Sequence, residues 1–283
     1  MPQATWGEWF VRDEIEGATP DSVAIWYLGC NGFVLRSAGT TLYIDPYFGT
    51  GVPKNITRMI PVPIDPETVT ECDAVLVSHE HIDHMHPPSF EPFLGDGTQV
   101  YGAKPSFETP SYGGDLPAEE HRRVVAPGDS VTVGDFDVHV RGANDPDAEG
   151  DVSYVVEHET GTFLHVGDSR PADAFHDIAA EFDVDVGALA MGSAGNIYDP
   201  GDDEARRTTW YMDENEVIEA ANALQLDRLL PVHYDMWKGV RADPTALHDH
   251  AASFQYPGTI TRVEIGDRVD VDSAGIVPMS HLR

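Results

Sequence analysis

The sequence is poor in lysine, in cysteine and in long apolar runs. Only 3 of its 17 basic residues are lysines, against 49 acidic residues, and the formal net charge is −32. Without a basic stripe to neutralise phosphates, neither nucleic acid nor an anionic membrane is expected as a partner. No apolar run reaches about eighteen residues, so the sequence predicts no membrane-spanning helix.

The 2 cysteines, Cys30 and Cys72, form neither a disulfide framework nor a CxxC metal motif. We expect both to be small core residues of a protein kept in a reducing compartment. The N-terminus is acidic and aromatic and lacks the basic-then-apolar order of a secretion signal. These features together predict a cytoplasmic protein.

The negative charge is spread along the whole chain rather than concentrated in a tail. Self-repulsion of this size opposes compaction in dilute salt. At about 1 M salt the screening length falls to about 3 Å, and most of that repulsion disappears. A large acidic excess combined with scarce lysine is typical of halophilic proteins from a salt-filled cytoplasm.

Strands dominate the predicted secondary structure, and no low-complexity linker divides the 283 residues, so we predict a single domain, 1–283. A helix is predicted over Asp213–Leu226, where Asp213 and Glu216 form a capping box, and another over Pro171–Phe182. Ten segments have the apolar, β-rich composition of strands: Val23–Tyr27, Gly32–Leu35, Thr41–Ile44, Ala74–Val77, Phe136–Val140, Ser153–Val156, Thr162–Val166, Val186–Ala190, Arg228–Val232 and Thr259–Ile265.

Polar stretches follow five of these strands directly. In chain order they read SHEHIDH, RGANDPD, GDSRP, MGSAGN and HYDMW. Loops on a rigid scaffold are where binding and catalytic sites are usually built. The pattern predicts that these strand ends converge at one edge of the sheets.

The most specific signal is the spacing His79-X-His81-X-Asp83-His84, which follows the buried strand Ala74–Val77. Imidazoles and carboxylates bind borderline divalent metals, and one turn can direct two such pairs at two neighbouring ions. His86 falls outside this spacing, and we interpret it as an incidental or supporting residue.

Four ligands do not complete two metal shells, so further donors are required. Asp168, at the end of an apolar strand beside Gly167, is the best candidate for a bridging carboxylate, and His233 is the best remaining histidine.

These residues, in this order, resemble the metallo-β-lactamase superfamily of hydrolases. The segments WGEWFVRDEIE, IWYLGCNGFVL, FGTG, DAVLVSHEHIDH, HVGDS, MGSAGN and LLPVHYDMWKGVRADP narrow the resemblance to the L-ascorbate-6-phosphate lactonase-like group. The resemblance implies a four-layer αββα sandwich of the α/β (α+β) class, with the metal site at one edge between the sheets. It also implies an aspartate as the third-motif ligand. Asp145 is our choice, with Asn144 beside it as the alternative.

The implied activity is that of a binuclear metal-dependent hydrolase that uses a metal-bridging hydroxide. His79, His81 and Asp145 would hold one ion, Asp83, His84 and His233 the other, and Asp168 would bridge them. Asp83 would also act in catalysis, by orienting the hydroxide and passing its proton to the leaving group. Mn²⁺, Zn²⁺ and Fe²⁺ all suit these donors. The group is associated with manganese, and its members suggest a homo-oligomer.

The expected substrate is a small molecule: a lactone, an ester or a phosphorylated sugar-acid-like compound. The lactonase pattern has Arg-Thr after the third-motif aspartate, whereas this chain has Pro146 and Asp147, so a phosphate partner is missing. Arg170, Arg206 or Arg207 could take its place. Two alternatives remain open, namely a phosphodiesterase or nuclease of the same fold and a non-catalytic metal-binding regulatory protein.

Overall fold

Two seven-stranded sheets form the framework of the protein, and the computed structural model describes residues 4–52, 56–192, 194–199, 204–277 and 279. The strands are β1 (Ala24–Gly29), β2 (Gly32–Arg36), β3 (Thr41–Ile44), β4 (Gly51–Val52), β5 (Ile56–Thr57), β6 (Ala74–Val77), β7 (Gln99–Gly102), β8 (Arg122–Val124), β9 (Ser130–Val133), β10 (Phe136–Gly142), β11 (Val152–His158), β12 (Gly161–His165), β13 (Val186–Ala190), β14 (Ala194–Asp199), β15 (Glu204–Thr209), β16 (Arg228–Val232), β17 (Thr259–Ile260) and β18 (Arg268–Asp270).

Helical segments are short and lie between the strands. The α-helices are α1 (Lys104–Glu108), α2 (Ala174–Glu181), α3 (Glu214–Ala223) and α4 (Leu247–Phe254). A π-helical segment and five 3₁₀ segments complete the set: Phe10–Ile15, then Pro66–Thr68, Pro87–Ser89, Glu91–Phe93, Glu119–His121 and Pro244–Ala246. Among the described residues, no helix is both long and apolar enough to cross a membrane.

The first sheet has the strand order β18-β1-β2-β3-β6-β7-β8, and the second has the order β17-β16-β13-β12-β11-β10-β9. In the first sheet β3, β6, β7 and β8 run parallel. In the second, β12, β13, β16 and β17 run parallel. Because neighbouring parallel strands end at the same edge, the loops that leave β6, β12 and β16 emerge where a site can be assembled.

The main core lies between the two sheets, where Phe33 and Leu35 of the first sheet meet Val138, Tyr154 and Phe163 of the second. Phe33 and Phe163 are in edge contact, with their ring centroids 5.4 Å apart. Burial of these aromatic rings fixes the spacing of the sheets, and therefore the separation of the loops at their ends.

Helical segments cover both outer faces. On the first sheet, Trp26 and Tyr43 pack against Phe10 of the π-helical segment and Phe93 of a 3₁₀ turn. On the second sheet, α2 and α3 bury an apolar stripe that includes Phe175, Ile178 and Val217 against Leu164. The predicted αββα sandwich is thus confirmed, with short turns in place of long helices over the first sheet.

Most of the predicted strands are present, whereas Thr259–Ile265 forms a strand only at Thr259–Ile260. The sequence reasoning missed β4, β5, β7, β8, β9, β18, α1, α4 and the β14–β15 hairpin. That hairpin begins at Ala194 and so occupies the second half of the predicted MGSAGN loop, whose Ser193 lies outside the described residues.

The predicted start of α3 is correct, because Asp213 Oδ1 accepts hydrogen bonds from Asn215 N and Glu216 N at 2.9 Å each, while Glu216 Oε2 accepts from Asp213 N at 3.0 Å. We expect Asp213→Ala to lower the free energy of unfolding by about 1 kcal/mol, because it removes an N-cap. Asp173, which precedes α2 without a side-chain cap bond, is the matched control. Equal losses for Asp213→Ala and Asp173→Ala in urea denaturation would contradict this account.

Candidate metal centre

The histidine-rich segment forms a tight turn directly after β6. The backbone N–H groups of His84 and Met85 both donate to His81 O, at 3.0 and 2.8 Å. Met85 is fully buried in the apolar layer outside the first sheet. The apolar residue therefore anchors the turn on one side, while His79, His81 and His84 face the site on the other.

All seven predicted ligands come together in two overlapping groups. Within each group the donor atoms lie within 4.8 Å of one another. The first group holds His79, His81, Asp145 and Asp168, and the second holds Asp83, His84, Asp168 and His233. Asp168 is common to both, which is the position that the sequence assigned to a bridging carboxylate.

The first group is built around the Oδ2 atom of Asp145. This oxygen lies 3.5 Å from both His79 Nε2 and His81 Nδ1. The other oxygen, Oδ1, accepts a hydrogen bond from Asp147 N at 3.0 Å, so Oδ2 alone is directed at the histidines. His81 is part-exposed, whereas the other members of the group are buried.

The second group is buried throughout. His84 Nε2 lies 3.2 Å from Asp168 Oδ2, and His233 Nε2 lies 3.1 Å from Asp83 Oδ2. His233 follows β16 in the left-handed region, with φ +66°. Its ring stacks on Tyr211 with centroids 4.1 Å apart, which holds the imidazole in place despite this unusual backbone conformation.

A glycine allows Asp168 to reach the centre. Gly167 has φ +61°, and a Cβ atom there would lie 2.8 Å from Ser78 Cβ. The loop after β12 can thus approach the histidine turn only without a side chain at this position.

Asn144 and Asp145, the two candidates for the third-motif ligand, differ in their contacts. The Asn144 amide donates to Pro171 O at 2.8 Å, whereas Asp145 Oδ2 lies 3.5 Å from both His79 Nε2 and His81 Nδ1. His86 is absent from both donor groups. Its Nδ1 lies 2.6 Å from Ser89 Oγ, and its ring packs between Tyr47 and Tyr112.

Asp45, which sequence reasoning missed, organises histidines of both groups. Its fully buried carboxylate accepts hydrogen bonds from Ser78 N at 2.8 Å, Ser78 Oγ at 2.6 Å and His84 Nδ1 at 2.7 Å. Ser78 Oγ in turn lies 3.0 Å from His79 Nδ1, and because it donates its own proton to Asp45 it accepts a hydrogen bond from this nitrogen. With Nδ1 of each ring engaged in this way, both histidines turn their Nε2 atoms toward the centre. Asp45 directly follows β3. A position just after a strand is the same signal by which the sequence identified Asp168.

The turn between β1 and β2 also reaches the centre. Asn31 Nδ2 donates to Asp168 Oδ1 at 3.1 Å, which orients the shared carboxylate. Cys30 is a buried residue, as predicted, but its Sγ lies 3.6 Å from both Asp83 Oδ2 and His233 Nε2. Cys30 and Asn31 of the LGCNG segment thus contact Asp83, His233 and the shared Asp168.

The electrostatics of the centre favour a divalent cation. Burial and the nearby Asp168 raise the pKa of Asp145 to about 6, because two carboxylates repel each other there. The buried Nε2 atom of His84 lies 3.2 Å from Asp168 Oδ2 without forming a well-aligned hydrogen bond, which is unusual for a buried nitrogen. Both features fit bound metal, and the nitrogen and oxygen donors suit Mn²⁺, Zn²⁺ or Fe²⁺.

Comparison with known proteins agrees with this geometry. A family model described as a beta-lactamase superfamily domain matches residues 40–234, more than half of the chain, and that range includes every residue of both donor groups. The chain belongs to the beta-lactamase superfamily. The resemblance drawn from the sequence motifs is thereby confirmed.

Superfamily relatives share most of the chain. A probable L-ascorbate-6-phosphate lactonase of Escherichia fergusonii is 28% identical over an alignment 289 residues long. The alignment covers 86% of this chain and 78% of the relative. A metallo hydrolase from Ignicoccus hospitalis has TM-score 0.62 and 16% identity, covering 88% of this chain and 97% of its own. A possible metal-dependent hydrolase from Veillonella parvula has TM-score 0.65 and 14% identity, covering 88% and 99%. The solved structures support the αββα fold.

The arginines considered as phosphate partners contribute no described contact to the centre. Arg170 Nη2 pairs with Glu216 Oε1 at 2.6 Å. The side chains of Arg206 and Arg207 lie outside the part of the chain that the structure describes.

We expect Asp45→Asn to weaken divalent-metal binding about 10–100-fold, because His84 loses the carboxylate that orients it and Ser78, which contacts His79, loses the same partner. Competition with a chromophoric chelator measures the affinity. Asp135→Asn is the matched control. Asp135 also accepts a hydrogen bond from a serine, Ser37 Oγ at 2.8 Å, and lies 3.5 Å from His158. It precedes β10, at the end of that strand away from the metal centre. Equal affinities for the two variants would show that Asp45 does not position the ligands.

Proposed function

We propose that the protein is a binuclear metal-dependent hydrolase that opens small lactones or cleaves small esters. One ion would be held by His79, His81 and Asp145, the other by Asp83, His84 and His233. The observation that carries the proposal is the sharing of Asp168 by both donor groups. Similarity to probable lactonases supports ester or lactone chemistry over other hydrolyses.

Divalent ions bound at the two groups would supply an activated water and polarise the substrate carbonyl. The water oxygen bonds to the carbonyl carbon, the bond from that carbon to the alkoxy oxygen breaks, and the alkoxy oxygen leaves as an alcohol. The protein contributes orientation: Asn31 orients Asp168, and Asp45 orients His84 directly and His79 through Ser78.

Asp83 is the residue that we assign to proton transfer. It lines the cavity beside the centre, and its Oδ2 atom lies 3.1 Å from His233 Nε2. Burial alone would raise the pKa of Asp83, but His84 and His233 lower it below its usual range. The carboxylate is therefore ionised at neutral pH and can accept the proton of the water before the leaving alkoxide takes it.

Metal stoichiometry tests the two-ion assignment. We expect about two equivalents of metal in the parent, about one in His81→Ala and in His233→Ala, and none in Asp168→Ala, because only Asp168 belongs to both groups. Elemental analysis after reconstitution with Mn²⁺ or Zn²⁺ measures this. His176→Ala, an exposed histidine on α2, should retain both equivalents. One equivalent in the parent, or an equal loss in the three ligand variants, would overturn the shared-ligand scheme.

Hydrolysis by the reconstituted protein tests the activity. We expect ring opening of γ-butyrolactone in the presence of metal and its loss in Asp168→Ala. Turnover of a cyclic phosphodiester without turnover of lactones would favour the phosphodiesterase alternative. A metal-loaded protein that turns over neither substrate would favour the non-catalytic alternative.

We also propose that the protein works in a salt-rich cytoplasm, since its net charge of −32 is spread over the chain. The midpoint of thermal unfolding should rise between about 0.1 M and about 1 M KCl, as the screening length falls from about 10 Å to about 3 Å. Sucrose of equal osmolality separates charge screening from general solvent exclusion. A midpoint that is unchanged by KCl, or raised equally by sucrose, would contradict the assignment.

A further inference from the structure

A cavity of about 390 Å³ opens directly onto the candidate centre, and its lining is partly acidic and partly apolar. The polar part carries the ligands His81, Asp83, Asp145 and Asp168, together with Asp147. The apolar part, which we name the aromatic wall, consists of Ile56, Ile82, Trp210, Tyr211 and Trp237, and all of these except Tyr211 belong to one apolar cluster. A ligand with its reacting group at the metal centre would place the rest of its surface against this wall.

The aromatic wall is held rigidly. The Tyr211 ring stacks on His233 of the second donor group, so the wall begins beside the reacting atoms. Trp237 packs on Tyr47 with ring centroids 6.1 Å apart and belongs to a buried apolar cluster with Cys30, Met236 and Val240. An apolar surface fixed before the ligand arrives binds apolar groups without an ordering cost.

Among the described residues that line the cavity, none is an arginine or a lysine. The guanidinium of Arg58 donates to the backbone carbonyls of Tyr47, Ile60 and Pro61, and Arg170 is paired with Glu216. Asp147 adds a negative charge at the cavity itself. Within the described lining, a phosphate carried away from the scissile bond would meet Asp147 or the aromatic wall rather than a cation.

Building on the proposed hydrolase function, we propose that the site takes lactones or esters with an uncharged apolar or aromatic substituent, seated against the aromatic wall. Phosphorylated substrates are disfavoured. The substituent gains by leaving water, and each methylene that enters the cavity should raise kcat/KM about fourfold. A terminal anion of the same length should cancel that gain.

The test uses the full chain, loaded with Mn²⁺ in high salt, and a matched series of γ-lactones. The series comprises γ-butyrolactone, γ-octalactone, and a lactone with the same butyl substituent ending in a phosphate. We expect γ-octalactone to be the best substrate and the phosphate-bearing lactone to be no better than γ-butyrolactone. A phosphate-bearing lactone with the highest kcat/KM would overturn the inference while leaving the hydrolase function intact.

Binding is measured separately from turnover with 2-butyltetrahydrofuran, a ring that cannot be hydrolysed, and its ω-phosphate counterpart. Quenching of tryptophan fluorescence should report tighter binding of the uncharged ring. If no lactone is hydrolysed but this preference holds, the proposed function fails and the substrate-class inference stands. Tighter binding of the phosphate overturns the inference irrespective of activity.

Two variants test whether residues of the cavity determine the preference for uncharged over phosphate-bearing lactones. Trp210→Ala, at the half-buried end of the aromatic wall, should reduce the preference for γ-octalactone over γ-butyrolactone, and Asp147→Lys should favour the phosphate-bearing lactone. Trp9→Ala, at the outer face of the first sheet, is the control and should leave both ratios unchanged. Ratios unchanged in Trp210→Ala and Asp147→Lys, with circular dichroism showing folded proteins, would place the selectivity elsewhere.

Discussion

The arrangement of the site depends on one buried negative charge. A carboxylate with no exposure to solvent is stable only if its oxygens are fully hydrogen-bonded, and Asp45 meets that requirement through Ser78 and His84. The same bonds fix the ring orientation of His84 and, through Ser78, that of His79. Satisfying the charge and orienting the ligands are thus one set of interactions, which connects the stability of the sheet edge to the geometry of the metal centre.

The sandwich makes this arrangement possible, because donors that are far apart in the sequence lie on loops that leave the sheets at a common edge. Four of the five strand ends selected from the sequence deliver members of the donor groups, after β6, β10, β12 and β16. The fifth, after β13, leads into a hairpin whose far end carries the chain to the aromatic wall. One edge therefore supplies both the reacting centre and the surface that meets the rest of a substrate.

The sequence alone predicted the features that have strong local signals. Continuous apolar strands such as Ala74–Val77 and the spacing of His79, His81, Asp83 and His84 are readable because each is complete within a few residues. Short, half-exposed strands such as β9 and β18 have weak patterns, since pairing with a neighbour rather than their own composition makes them strands. Asn31 could not be predicted as a partner of Asp168, which is 137 positions away, because only the tertiary fold brings the two together.

The two donor groups differ in their exposure to solvent. The four donors of the second group are buried, although Asp83 and Asp168 line the cavity, whereas the first group has the part-exposed His81 at its edge. Of two ions held there, the one beside His81 would exchange with the solution more readily than the one in the buried group. A chelator, a competing metal in the cell and the incoming water would all use the same entrance as the substrate. Metal supply and catalysis would consequently compete for one opening, and a bound substrate would retard the loss of both ions.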